Sequence, residues 1–422
     1  MTQLVNRRDE AESKAPVEID NRERLLRLGY FVAIVLVLAV VTGFSPFLAV
    51  IFAIIAIVML HEFGHFVTAK WAGMKVTEYF FGFGPRLWSI RKGETEYGIK
   101  AIPVGGYVRI LGMNNLEQVD PADEARTYRQ KSYPRRLSVA VAGSTMHFVL
   151  AFLLLLVLWT AVGVPKATTK VGTIFGAGPK SSDLSPAQKA GFQRNDHVLA
   201  VDGHVVHKWD DIKPYIQSHE NKPIEFIVQR GDHLLKLTAT PAKIVIEKNE
   251  AVAVGIAPKE VPQKVGVPIA LWNSGRDLGH YTWATFGAFG SVFTPSHLKD
   301  YTEQLSGRGA VSGKEAERPV SVVGFVRVAG QAAEHGWLDL LVLLILINIF
   351  IGIFNMVPLL PLDGGHVAIA TYERIRSRKG RRYQADVAKL LPLTAAVVSV
   401  LLLLGAMTIY LDIVRPIANP FH

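Results

Sequence analysis

Residues 46–65 read PFLAVIFAIIAIVML followed by HEFGH. The first fifteen of these residues carry only apolar side chains, whereas the last five include His61, Glu62 and His65. A helix through this stretch would place His61 about 22 Å from its start, since each helical residue rises about 1.5 Å. An ionisable group inside a hydrocarbon core is costly unless it is paired, so such groups usually mark a functional site. The stretch therefore predicts a membrane-spanning helix that carries a site.

The composition of the 422-residue chain supports membrane insertion. Half of the residues are hydrophobic and only 19% are charged, against about 25% charged in an average soluble domain. This hydrophobic content excludes a disordered or collagen-like chain. Because the chain has no cysteine, disulfides, iron–sulfur clusters, thiolate zinc sites and cysteine nucleophiles are excluded. Any metal must be held by His, Asp and Glu.

Four stretches lack Lys, Arg, Asp and Glu, and each exceeds the ~20 residues that cross a hydrocarbon core. They are 28–60, 137–165, 340–362 and 390–411. The first is long enough for two helices, and the break is expected just before Pro46, since proline disfavours helix in the preceding residue. We expect a hairpin with an outer arm near 29–43 and a second helix from Pro46 to about Ala69. A cleavable signal peptide is the alternative, which the charged tail ahead of it disfavours.

Lys and Arg are concentrated in segments 70–136 and 373–389. Short basic loops face the cytoplasm, so we expect both segments and the N-terminal tail inside and the long segment 166–337 outside. The net charge of +10 then reflects topology, and no nucleic-acid partner is needed to explain it.

His61 and His65 are four residues apart, which places them about 40° apart around a helix, so both imidazoles can face one ion. Glu62 lies beside them, placed to meet a water at the metal. This is the H-E-x-x-H arrangement of zinc hydrolases. The alternative is a polar cap at the membrane interface, where Lys, Arg, Trp and Tyr are the usual residues.

A catalytic zinc takes three protein ligands and keeps one open position. Asp363 is the candidate third ligand, in the segment Asn355-Met-Val-Pro-Leu-Leu-Pro-Leu-Asp363-Gly-Gly-His366. In the expected topology this run ends at the same membrane depth as helix 46–69. The two prolines break the helix, which a membrane tolerates where the backbone lines a buried or wet cavity. An ordinary Asp-Gly turn and ligation by His366 are the alternatives.

The chain resembles the site-2 protease family of intramembrane zinc metalloproteases, specifically the bacterial branch with an extracytoplasmic PDZ domain that acts in regulated intramembrane proteolysis. The resemblance runs through residues 46–412 and is carried by three pieces, which are residues 61–65, residues 82–88 with 94–107, and residues 355–364. It implies that Zn²⁺ is bound by His61, His65 and Asp363. It also implies that Glu62 is the general base and that Asn355 lies close to the site, where it positions substrate.

The second core helix departs from the family pattern Ala-Gly-Pro-x-x-Asn, because this chain reads Ala142-Gly-Ser-Thr-Met-His147. His147 can keep a polar contact that positions substrate, approach the metal, or be a buried group bonded across helices. The second proline of the ligand segment stands one place later than usual, as Pro361, while the spacing from Asn355 to Asp363 is unchanged.

Segment 84–110 alternates in polarity, with turns expected at Lys92-Gly93 and Gly105-Gly106. It predicts a cytoplasmic-side β-hairpin or three short strands. In the family such strands lie near the site and pair with an unwound substrate by β-strand addition. Binding of anionic lipid by this basic segment is the alternative.

Residues 185–203 resemble the helix–loop–strand signature of bacterial PDZ domains. A tight turn is expected at Asp202-Gly203, followed by a helix capped by Asp210. We expect one extracytoplasmic α+β PDZ domain at 168–258, acting as a steric gate or, alternatively, recognising a trimmed substrate end. Residues 267–292 predict a helix lying on the membrane surface or packed beneath the domain, and residues 307–319 predict a linker.

The expected fold is a polytopic α-helical membrane protein with four or five hydrophobic segments, a β-hairpin region and one PDZ domain. The expected divisions are a tail (1–27), a helical hairpin (28–69), a basic β region (70–136), a transmembrane helix (137–165), the PDZ domain (168–258), a post-PDZ region (259–337), a transmembrane segment (338–366), a basic cytoplasmic loop (367–389) and a C-terminal transmembrane helix (390–412).

The expected function is that of an intramembrane zinc endopeptidase in the bacterial cytoplasmic membrane, with its site toward the cytoplasm. The resemblance implies single-span substrates within the lipid bilayer, such as trimmed anti-sigma factors or remnant signal peptides. A catalytically silent scaffold is one alternative, which the intact Glu62 disfavours. A metal transporter is another, but it would need ionisable residues on several helices.

Overall fold

The computed structural model describes residues 46–113, 117–176, 184–246, 249–292, 294, 320–377 and 383–417. The chain divides into two compact units, one formed by 1–155 with 274–422 and the other by 156–273. In the described part, four helices are long and apolar enough to cross a membrane. The protein is therefore polytopic, as expected. The expected tail, outer arm 29–43 and linker 307–319 lie outside the described residues.

In the described part of the chain, five α-helices lie wholly within the first unit, and a sixth, the second of them in chain order, extends two residues beyond it. They are α1 (Pro46–Trp71), α2 (Tyr133–Val157), α6 (Val322–His335), α7 (Trp337–Asn355), α8 (Asp363–Arg376) and α9 (Leu391–Val414). Helix α7 ends at Asn355, ahead of Pro358 and Pro361, because proline lacks an amide donor and clashes with the preceding turn. The segment 356–362 forms turns, and α8 begins at Asp363.

Helix α8 corrects two expected boundaries. The transmembrane segment expected at 338–366 ends its helix at Asn355, and the loop expected at 367–389 is helical as far as Arg376. The high charge of this region suggested a loop. Arg374 and Arg376 are exposed on one side, whereas Ala370 and a single charged residue, Glu373, are buried on the other, as in an amphipathic helix.

Helix α6, which the sequence did not predict, packs against the start of α1 and α7. Its Ala329 and Ala332 are fully buried in a cluster with Val50 and Leu340, and such small residues allow close approach of helices. The buried Asp412 of α9 accepts a hydrogen bond from the Ser321 amide at 2.7 Å. This carboxylate therefore caps the N-terminus of α6, where negative charge is favourable.

Strands β1 (Val76–Lys92) and β2 (Thr95–Ile110) form the expected hairpin, with its turn at residues 93–94. Segment 78–81 is paired on both sides, since Phe80 pairs with Tyr107 and also with Gly98. Strand β2 therefore doubles back between these two partners, and Gly105, with φ of +136°, lies at the bend. Residues 106–110 consequently form one edge of the sheet.

The second unit is an α+β domain built on one sheet in the order β10-β3-β4-β6-β7, with β5 paired to β4 and a separate β8–β9 ladder. Its strands are β3 (Val164–Ile174), β4 (His197–Val201), β5 (His204–Val205), β6 (Ile224–Arg230), β7 (His233–Ala239), β8 (Ala242–Ile246), β9 (Asn249–Ala253) and β10 (Ile256–Gln263). Helices α3 (Pro186–Lys189) and α4 (Trp209–Ser218) complete it. The core includes Val198, Ile212 and Phe226.

Two local expectations in this domain have different outcomes. Asp202 and Gly203 both adopt positive φ, which the tight turn requires. The expected cap Asp210 is wrong, because Asp211 instead accepts the Lys208 amide at 2.9 Å. The paired strands extend to Val164 and Gln263, beyond the expected range 168–258.

Helix α5 (Val267–Val292) matches the predicted helix. Trp272 and Trp283 are 74% and 79% exposed, so large aromatic side chains remain on its surface. This exposure agrees with the amphipathic pattern of the sequence.

Candidate metal centre

Helices α1 and α8 bring three potential ligand atoms together. The Nε2 atoms of His61 and His65 are 3.3 Å apart, and Asp363 Oδ2 lies 3.4 Å from the first and 3.2 Å from the second. Ligands about 2.0–2.1 Å from a tetrahedral zinc are separated from one another by about 3.3–3.4 Å. The triangle therefore has the size that a single Zn²⁺ requires.

The hydrogen bonding of the Asp363 carboxylate indicates whether these residues suit a cation. Asp363 Oδ2 is buried and has no hydrogen-bond partner among the described residues. A buried charged oxygen without a partner is strongly unfavourable. A cation in contact with this oxygen and the two imidazoles would remove that cost, so the donor set fits zinc.

A carbonyl oxygen fixes the orientation of His65. His65 Nδ1 lies 2.7 Å from the carbonyl oxygen of Val139 on α2. Because a carbonyl only accepts, Nδ1 carries the proton and donates it, which leaves the Nε2 lone pair free for a metal. Such outer contacts set both the tautomer and the ring orientation of ligating histidines.

Two glycines allow α1 and α2 to approach closely at the site. A Cβ on Gly143 would lie 2.6 Å from His61 Nε2 and would also collide with His65 Nε2. On α1, a Cβ on Gly64 would lie 2.7 Å from the Ala142 carbonyl oxygen. No role for Gly143 was predicted from the sequence. The available signal was that a glycine inside a helix costs about 1 kcal/mol, so it usually has a packing reason.

Glu62 lies between the metal-binding face of α1 and the edge of the hairpin sheet. The Val108 backbone lies close to Glu62, and a Cβ on Gly106 would lie 3.2 Å from Glu62 Cγ. The Tyr79 hydroxyl donates to the Met59 carbonyl at 2.9 Å. The sheet is thus attached to the helix within one turn of the site.

The other residues predicted at or near the site are His147, Asn355 and His366. His147 donates from Nδ1 to Asn348 Oδ1 at 3.1 Å, since the Asn348 amide nitrogen already donates to Leu344. The His147 ring centroid is 5.0 Å from that of His61. Asn355 is partly buried at the end of α7. In the described part of the chain, the group that could hold a metal comprises His61, His65 and Asp363, without His366.

Comparison with known proteins gives the family. The sequence profile of peptidase family M50 matches residues 49–402. The chain belongs to this family. Zinc metalloprotease Rip1 of Mycobacterium tuberculosis (strain H37Rv) is 32% identical over 401 residues, which cover 86% of this chain and 96% of that protein. Zinc metalloprotease Rip1 of Mycolicibacterium smegmatis is 31% identical over 404 residues, which cover 87% and 96% respectively.

Membership in family M50, the site-2 protease family, makes the protein a zinc metalloprotease. The cofactor is Zn²⁺, in agreement with the donor set formed by His61, His65 and Asp363. The four apolar helices and the bacterial relatives fit a multi-pass protein of the bacterial inner membrane.

Proposed function

We propose that this M50 protease cleaves single-span membrane proteins within or beside their spans. In this proposal His61, His65 and Asp363 hold the zinc ion, and Glu62 is the general base. The observation that carries it is the triangle of ligand atoms, 3.2–3.4 Å on each side, with two of its corners on a candidate membrane-spanning helix.

Glu62 is suited to proton transfer because it lies next to the two histidines in sequence and against the sheet edge in space. Zn²⁺, when bound, supplies a Lewis acid that activates water and polarises the scissile carbonyl. Glu62 accepts a proton from the attacking water and delivers it to the leaving amine. Asn355 and His147 are proposed to position the substrate.

The sheet edge at 106–110 is proposed to hold the substrate in an extended form. A helical substrate hides its amides in intrahelical hydrogen bonds, so it has to unwind before hydrolysis. Gly105 and Gly106 have no side chains to cover the backbone of this edge, and Gly106 lies beside Glu62. A peptide added as a further strand would therefore run past the general base.

The same hairpin has features that favour lipid contact as a second role. Its Phe83, Ile90 and Ile102 are exposed large apolar residues, and exposed cations such as Arg91 accompany them. Apolar side chains flanked by cations suit the boundary between acyl chains and anionic headgroups. Both roles are compatible, because lipid contact would keep the sheet at the depth of the site.

The topology and the second unit complete the proposal. The Lys and Arg content of the basic segments favours a cytoplasmic location for them, and the proposed topology then has the α+β domain outside and the metal site toward the cytoplasm. We propose that this domain is a PDZ domain that excludes substrates with large outer domains. Trimmed anti-sigma factors and remnant signal peptides are the substrate classes that such a gate admits. Reporter fusions after residues 20 and 44 should read inside and outside, respectively.

Co-expression of a single-span reporter with wild type and Glu62→Gln tests the activity. We expect the cut fragment to disappear in Glu62→Gln while zinc remains bound, because the ligands are unchanged. Glu260→Gln, at an exposed carboxylate of β10, is the matched control and should cut normally. An unchanged fragment with Glu62→Gln would remove the proposed role of Glu62 and favour the scaffold alternative.

A further inference from the structure

A buried ion pair joins α2 to α8. Arg136 Nη1 donates to Glu373 Oε2 at 2.6 Å, and the two residues are only 6% and 3% exposed. The other carboxylate oxygen of Glu373 accepts the Ala385 amide at 2.7 Å. Both oxygens of this carboxylate are therefore committed to holding α8 in place.

Stability alone is a poor explanation of this pair. The cost of removing two charges from water commonly equals their attraction, so apolar residues of similar size can often replace a buried pair without loss. Arg136 Nε also lacks a hydrogen-bond partner within the described ranges. Arg136 lines a cavity of about 310 Å³ together with Leu360 and His366, next to the loop that precedes Asp363.

Helix α2 contacts both halves of the metal site from one face. Arg136, Val139 and Gly143 are spaced by three and four residues, which places them on the same side of the helix. Val139 orients His65 through its carbonyl oxygen, and Gly143 lies against both imidazoles. Arg136 donates a hydrogen bond to Glu373 on α8, the helix whose first residue is Asp363.

We infer that Arg136 and Glu373 are positioning residues that keep Asp363 within reach of the metal. This inference rests on the proposed zinc ligation by Asp363. The pair stops α8 from rotating about its own axis. A rotation of about 10° moves an oxygen about 5 Å from the helix axis by about 0.9 Å. That displacement exceeds the tolerance of about 0.2 Å in zinc–ligand distances.

The test is zinc affinity, measured by chelator competition on the full-length protein in detergent. In the double variant Arg136→Met/Glu373→Leu the charges are replaced together, so neither is left buried alone. We expect at least a tenfold loss of zinc affinity, the usual effect of removing a contact that orients a ligand, whereas the zinc-free protein should melt only slightly lower, because the Ala385 amide loses its acceptor. The control Arg135→Met removes an exposed neighbour and should bind zinc normally.

The charge-swapped variant Arg136→Glu/Glu373→Arg restores an ion pair between α2 and α8 and should recover most of the lost zinc affinity. If the two residues only filled space, the swap would recover none of it. Should the apolar double variant fail to fold, Glu373→Gln provides the second measurement, with a smaller loss expected. Wild-type zinc affinity in whichever variant folds would overturn the inference. If Asp363→Asn also binds zinc normally, the proposed ligand set fails rather than the positioning role.

Discussion

Gly143→Ala should damage the metal site without damaging the helix. The new Cβ would lie 2.4 Å from His65 Nε2, where ordinary contacts begin at 3.4 Å, so the imidazole or the helix has to move by about 1.0 Å. That shift is several times the tolerance of about 0.2 Å in zinc–ligand distances. It also disturbs the approach of α2, from which Val139 orients His65.

We expect zinc affinity to fall about 10–100-fold, equivalent to about 1.4–2.7 kcal/mol. Alanine favours a helix interior over glycine by about 0.8–1.0 kcal/mol, which offsets part of the about 1–3 kcal/mol that overpacking costs. The zinc-free protein should therefore melt only slightly lower than wild type. A loss of zinc affinity larger than this small change separates damage at the site from general destabilisation.

Chelator competition measures zinc affinity, and thermal melting in detergent measures the stability of the zinc-free protein. Reporter cleavage should fall together with zinc affinity. Gly405→Ala is the matched control, because this glycine lies in apolar helix α9 and a Cβ there has open space. It should bind zinc and cut normally. Wild-type zinc affinity in Gly143→Ala would refute the view that α2 has to approach the imidazoles this closely.

Three further predictions follow from described contacts. Zinc at a hundredfold its Kd should raise the stability of wild type by about 2.7 kcal/mol, and Asp363→Asn should abolish most of this rise in thermal melting; an undiminished rise would exclude Asp363 as a ligand. Asp412→Ala leaves the buried Ser321 amide without its acceptor, so unfolding should become easier by about 1–3 kcal/mol; an unchanged melting temperature would contradict this. Hydrogen bonds from Arg126, which has the larger effect, and from Lys70 lower the pKa of Glu94 from 4.5 to about 2. Its stabilising effect is therefore complete above pH 4.5 and lost as the pH falls toward 2. Glu94→Gln should flatten melting temperature against pH in that window, and an unaltered acid profile would argue against the contact.

The metal-binding group was accessible from the sequence because its chemistry is local. His61 and His65 share a helix face by their spacing alone, and the absence of cysteine narrowed the third ligand to a few residue types. The proximity of Asp363 to the histidines could be predicted only from the membrane topology and the family resemblance, since about 300 residues separate them in the sequence. The hairpin was predictable for a similar reason, because alternation and glycine turns are local signals.

The contacts that organise the site could not be predicted in this way. Arg136 and Glu373 are 237 residues apart, and both lie in stretches where charge indicated exposed cytoplasmic loops. A single charged residue in a basic segment carries no signal that it is buried. Helix α8 was missed for the same reason, since its outward charges obscured an apolar stripe. Packing between distant segments, rather than local preference, decided these features.

The order of the proposed ligands along the chain has a consequence for biosynthesis. A ribosome makes His61, Glu62 and His65 early and reaches Asp363 only about three hundred codons later. Until then the growing polypeptide offers two imidazoles without the carboxylate, and helix α8 does not yet exist. On the proposed ligand set, a nascent chain that ends before Asp363 therefore lacks a complete catalytic centre. Translation-arrested chains that stop short of Asp363 should insert and leave a neighbouring reporter whole.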